Sequence, residues 1–246
     1  MAKPHPPSPF LIALLLSLLV CNLPFGGLAL YPMKLLATWF HELSHGIAML
    51  LCGAGFDRMV IYQDTSGLSY GSAPAGVIGA PIIAAAGYMG TPLMGAALLW
   101  ATPTEHQARR SLALLAAVVL ASTWLTVANQ FGLIAMTLIG AAIAACGLVL
   151  PARWRLLTLH IFAAQACVNA LLDIRVLYRP AMMINGQLAG GSDAATMAYL
   201  TFGTQATWAQ WFWATAWLVW SLLVLFIALR RAHVTLIQEP PTTSVA

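Results

Sequence analysis

Residues 38–53 read TWFHELSHGIAMLLCG. Two histidines, a glutamate and a serine break an otherwise apolar stretch. The stretch lies within a run, 33–53, about as long as a bilayer-spanning helix needs. On a helix, residues four apart share a face one turn up. His41 and His45 can therefore aim ring nitrogens at one point, with Glu42 bordering that face. HExxH on a helix is the pattern of two zinc ligands and a general base. Neutral imidazole binds zinc at about 2.0–2.1 Å, and the glutamate accepts a proton from an activated water. The plainer alternative is a satisfied polar cluster between helices. Ionisable groups within membrane spans are costly and usually functional, which favours the metal.

The rest of the chain supplies the membrane. Of 246 residues, 61% are hydrophobic and 7% charged, with a mean hydropathy of +0.83. A soluble domain carries about 25% charged residues. The composition predicts an all-α polytopic membrane protein, a single integral-membrane domain over 1–246 with about six to seven transmembrane helices. The core runs from about 10 to 230, and a disordered tail from about 232 to 246. The apolar runs are 10–30, with the breakers Pro24, Gly26 and Gly27 marking an alternative early end, then 33–53, 75–101, 111–128, 131–150, 155–176 and 207–229. The first reads as a retained helix rather than a signal peptide, since Val20 fits poorly before a lipoprotein cysteine and no A-x-A site follows.

Residues 53–74 are too polar to span. RMVIYQ, a DTSG turn and LSYG predict a β-hairpin at 59–71. Further on, Ser192 or Asp193 is placed to cap a short helix through about Leu200. The 11 Lys and Arg residues sit at the ends of apolar runs, where they set topology rather than bind nucleic acid. The side carrying Lys34, Arg109, Arg110 and Arg155 holds more of them and is expected to be cytoplasmic. Cys21, Cys52, Cys146 and Cys167 show no CxxC spacing and read as small core residues. The glycine and alanine of 75–101, Gly90 and Gly95 among them, predict close helix packing.

A catalytic zinc site uses three protein ligands and one open position, so HELSH needs a partner from another helix. His160 and Asp173 are the main candidates. Asp173 has Asn169 four residues before it on the same face; His160 lies about 220° round the helix from Asp173. Pairing of Asp173 with Arg175 or Arg179 is the competing reading. Measured from Lys34 and Arg155, His45 and Asp173 also differ in depth by roughly 10 Å.

HELSH in an early helix and Asn-x-x-x-Asp in a late one resemble the site-2 protease family of intramembrane zinc metalloproteases. The hairpin after HELSH and the glycine-rich run also fit. The ending, SDAATMAYLTFG and then WAQWFWATAW, resembles a divergent branch of small bacterial relatives. The resemblance implies a zinc-dependent metalloendopeptidase of the bacterial inner membrane, with Zn2+ held by His41, His45 and Asp173. Glu42 would activate water, and Asn169 matches the asparagine preceding the family's aspartate. The implied partners are a membrane-embedded or juxtamembrane protein substrate and the lipid bilayer. The family pattern of Asn-x-x-Pro followed by Leu-Asp-Gly is altered here to NALLDI. That departure leaves open a non-proteolytic metal-binding scaffold. A transporter is the other rival, although the paired repeats typical of transporters are missing.

Overall fold

The computed structural model describes residues 9–101, 104–179, 183–188 and 191–238. The chain begins with α1 (Pro9–Cys21) and a single turn, α2 (Gly26–Ala29). Next is α3 (Tyr31–Leu51), with Pro32 in its first turn, where a missing N–H costs nothing. Gly53, at φ 73°, stops α3. Its N–H donates to the Leu50 carbonyl and that of Ala54 to Met49, a Schellman ending that needs the left-handed conformation glycine adopts freely.

Strands β1 (Arg58–Ile61) and β2 (Gly67–Tyr70) then form the expected antiparallel hairpin, with Met59 opposite Ser69 and Ile61 opposite Gly67. Three helices follow: α4 (Gly76–Trp100), α5 (Glu105–Thr126) and α6 (Gln130–Val149). Next comes α7 (Ala152–Ile174), extended by a 3-10 turn at Arg175–Tyr178. A second, smaller hairpin, β3 (Met183–Ile184) and β4 (Gln187–Leu188), precedes α8 (Asp193–Phe202) and α9 (Thr207–Gln238).

Among the described residues, five helices are long and apolar enough to cross a bilayer: α4, α5, α6, α7 with its 3-10 turn, and α9. The other two expected spans are α1 and α3. With 13 residues, α1 is about 20 Å long, against a hydrocarbon core of about 30 Å. The 21 residues of α3 are long enough, but its polar residues lower its hydropathy. It is buried along most of its length. The chain is an integral membrane protein of the all-α polytopic class. The last helix runs on to Gln238, so 232–238 are helical where a tail was expected, and 239–246 lie outside the described residues.

The face of α3 away from the histidines carries Leu35, Leu36, Trp39 and Phe40. They pack with Met59 and Ile61 of the hairpin and with Leu112, Val119 and Met136. The Trp39 indole N–H donates to Ser122 Oγ at 3.0 Å, so that edge of α3 is fixed to α5. Small residues bring α4 and α7 together: a Cβ on Gly95 would lie 3.0 Å from the Ala163 carbonyl oxygen. The α5–α6 junction grips β1. The Ala128 N–H donates to the Met59 carbonyl at 2.9 Å. The Asn129 amide brackets Ile61, donating to its carbonyl at 2.6 Å and accepting from its N–H at 3.0 Å. The outer edge of β1 is thereby occupied, whereas among the described residues no backbone hydrogen bond fills the outer edge of β2, which is the open one.

Candidate metal centre

HELSH occupies the middle of α3. His41 and His45 project from consecutive turns, and their Nε2 atoms lie 3.1 Å apart. The other ring nitrogen of His45, Nδ1, is 2.7 Å from the Ile83 carbonyl of α4. That bond requires Nδ1–H as donor, which leaves Nε2 unprotonated in the neutral ring. A carboxylate oxygen completes the set. Asp193 Oδ2 lies 3.1 Å from His41 Nε2 and 3.3 Å from His45 Nε2. Three electron-rich atoms thus form a nearly equilateral triangle. Donors about 2.0–2.1 Å from a tetrahedral zinc ion stand about 3.3 Å apart. The donor types and their spacing both fit zinc.

With protons rather than a metal between these atoms, burial would raise the Asp193 carboxyl, but the charge of a protonated His45 and hydrogen bonds with His41 and His45 outweigh it and hold the carboxyl well below the usual carboxylate range. A cation bound between the same atoms would replace those protons.

Glycines make the room. A side chain at Gly87 of α4 would overlap the imidazoles of both His41 and His45. One at Gly90 would overlap Ser44, and one at Gly67 would come within 2.7 Å of Glu42 Cγ. The close helix packing expected of α4 holds at Gly90 and Gly95, while Gly87 in the same helix makes room for the two imidazoles. Tyr88 stands edge-on to His41, with centroids 4.7 Å apart, and stacks on Trp217 at 5.0 Å. A chain of rings thus buttresses His41 from α9.

Glu42 is buried beside the ligands, and its Oε2 accepts from Ser69 Oγ at 2.8 Å. The hairpin lies along α3 through three such contacts. Tyr31 donates to the Gln63 carbonyl at 2.7 Å, Thr38 to that of Thr65 at 2.6 Å, and Ser69 to Glu42. A cavity of about 580 Å³, within the size range of ligand sites, opens over His41, Glu42 and His45. Hairpin residues 64–69 and Asp193 border it.

The structure brings His41, Glu42 and His45 together as their spacing predicts. Asp173 lies on the wall of the same cavity, exposed to it. Among the described residues, the group of ligand atoms within 4.8 Å of one another is His41, His45 and Asp193. Asn169 is buried in α7, donating to the Met33 carbonyl at 3.3 Å and accepting from Gln165 at 3.1 Å. It holds α7 to the start of α3. His160 is buried in α7 and is not among the residues lining the cavity.

Asp193 was foreseen only as a helix cap. Ser192 fills that role, accepting from the Ala195 N–H at 3.1 Å, which leaves the Asp193 carboxylate free to face the histidines. Two cap-competent residues in succession were the available signal. A model of the family Peptidase M50B-like matches residues 10–228. No curated protein and no solved structure matches the chain.

Proposed function

The chain belongs to the Peptidase M50B-like family, and from that premise we propose that it is a zinc-dependent endopeptidase cutting membrane-embedded or juxtamembrane protein segments. The observation that carries this reading is the convergence of His41, His45 and Asp193 on one point, with Glu42 buried beside them. Zinc held there by those three side chains would supply Lewis acidity and lower the pKa of a bound water. Glu42 is the group placed to accept a proton at its carboxylate and to return it to the departing amine nitrogen. The Ile83 carbonyl keeps Nε2 of His45 directed at the site. Asp173 shares the cavity with these groups and is the rival for the third ligand position.

A helix hides its scissile carbonyls in backbone hydrogen bonds, so the segment to be cut must be extended. The open edge of β2 suits such a strand. The Tyr62 N–H donates to the Ser66 carbonyl at 2.8 Å, making that a hydrogen-bonded pair. By the antiparallel alternation, the backbone groups of Gly67 and Ser69 then face away from β1. The bacterial inner membrane is the proposed location.

Glu42→Gln tests the chemistry. Hydrolysis should vanish while zinc stays near one per chain, because Glu42 is not a ligand. A folded Glu42→Gln protein that loses its metal, or still cleaves, contradicts the assignment. A wild-type protein that binds zinc and cleaves no membrane segment would favour the non-proteolytic scaffold.

A further inference from the structure

We propose that Ser69 is the positioning residue of the general base, coupling the Glu42 carboxylate to the open edge of β2; this rests on the peptidase reading above. Side chains alternate along a strand, and the face of β2 turned to α3 carries only Gly67 and Ser69. The missing side chain of Gly67 lets Glu42 Cγ and Oε1 lie directly against the strand, 2.7 and 2.8 Å from where a Cβ would stand. Ser69 Oγ sits 2.8 Å from Oε2 and 2.9 Å from Glu42's own main-chain oxygen. One oxygen of the carboxylate is thus packed on Gly67 and the other is held by Ser69.

A glutamate has three rotatable bonds, and a base must keep its lone pair aimed at one water. Ser69 supplies that constraint from outside α3. Its backbone N–H and carbonyl belong to the outward set that an added strand would engage. A substrate strand paired at Ser69 therefore immobilises the residue whose hydroxyl orients the base. Placement of the peptide and readiness of the base become one event. Nothing in this role makes Ser69 touch the metal or the reacting atoms.

The experiment uses the full chain, zinc-loaded in lipid vesicles, with a membrane-embedded substrate. Ser69→Ala should lower kcat about 10- to 100-fold, the usual range for losing one hydrogen bond to a charged group. KM should stay within about twofold and zinc near one per chain. Ser69→Thr, which keeps the hydroxyl, should restore most of the rate. In infrared spectra, the carboxylate stretch identified as the band lost in Glu42→Gln should shift in Ser69→Ala. A kcat at the wild-type level overturns the proposal. So does a raised KM at unchanged kcat, a loss of zinc, or an unmoved carboxylate band. A wild type that cleaves nothing refutes the peptidase reading, and the infrared comparison still decides whether Ser69 holds Glu42.

Discussion

At Gly87 one methyl group separates a working site from a blocked one. A Cβ there would overlap the facing nitrogens of His41 and His45, and neither ring can retreat. His45 is held through Nδ1 by Ile83 and His41 is backed by Tyr88. Gly87→Ala should therefore weaken zinc binding by at least about tenfold, the usual scale for disturbing the support of a ligand. Titration against a competing chelator reads this directly, and wild-type affinity would contradict the close approach. The HELSH residues were legible in the sequence because i and i+4 share a helix face whatever the tertiary fold. Asp193 was not, because its place depends on the path of the chain from α7 through the small hairpin to α8, and no periodicity encodes that path. The depth difference expected between His45 and Asp173 does not keep Asp173 out of the cavity, whose wall it shares with Asp193.

Among the elements, the hairpin is tied down on two flanks, to α3 and to the α5–α6 junction. Asn129 stands in for a neighbouring strand along β1, and its two hydrogen bonds to Ile61 are worth about 1 kcal/mol each. Asn129→Ala should loosen the hairpin by about 2 kcal/mol. Amide exchange over 58–70 should quicken and turnover should fall, with zinc content unchanged. Exchange rates equal to wild type would show that the anchor lies elsewhere. Ile61→Pro removes the donor on the same edge and should act the same way; because that edge is already filled, it reports anchoring and not substrate pairing. The first hairpin could be read from its alternation and its turn. The second has strands of two residues each, too short for any pattern to form. The seven apolar runs correspond to helices, and the first takes its earlier end, with α1 stopping at Cys21 just before the Pro24, Gly26 and Gly27 breakers.

Across the whole molecule, the proposed metal would join α3 directly to α8, two helices with little direct contact that otherwise meet chiefly through α4. His41 and His45 come from α3, the Ile83 support from α4, and Asp193 from the start of α8. The pair α5 and α6 instead packs through an apolar core around Leu112, Val119 and Met136. Metal removal should therefore act unevenly. Chelation should speed amide exchange in 183–202 and in the HELSH half of α3, and leave α5 and α6 near their starting protection. The overall loss should approach about 4 kcal/mol at zinc a thousandfold above its Kd. Uniform loss of protection would mean that the metal supports the fold as a whole and not this junction.

Whether His41, His45 and Asp193 hold the metal is decided by the zinc content of purified Asp193→Ala, with Asp173→Ala measured alongside. The geometry predicts that Asp193→Ala falls from near one zinc per chain to near zero in a folded protein, while Asp173→Ala keeps its zinc. Zinc retained in Asp193→Ala, or lost in Asp173→Ala, would contradict it and move the third ligand to the end of α7.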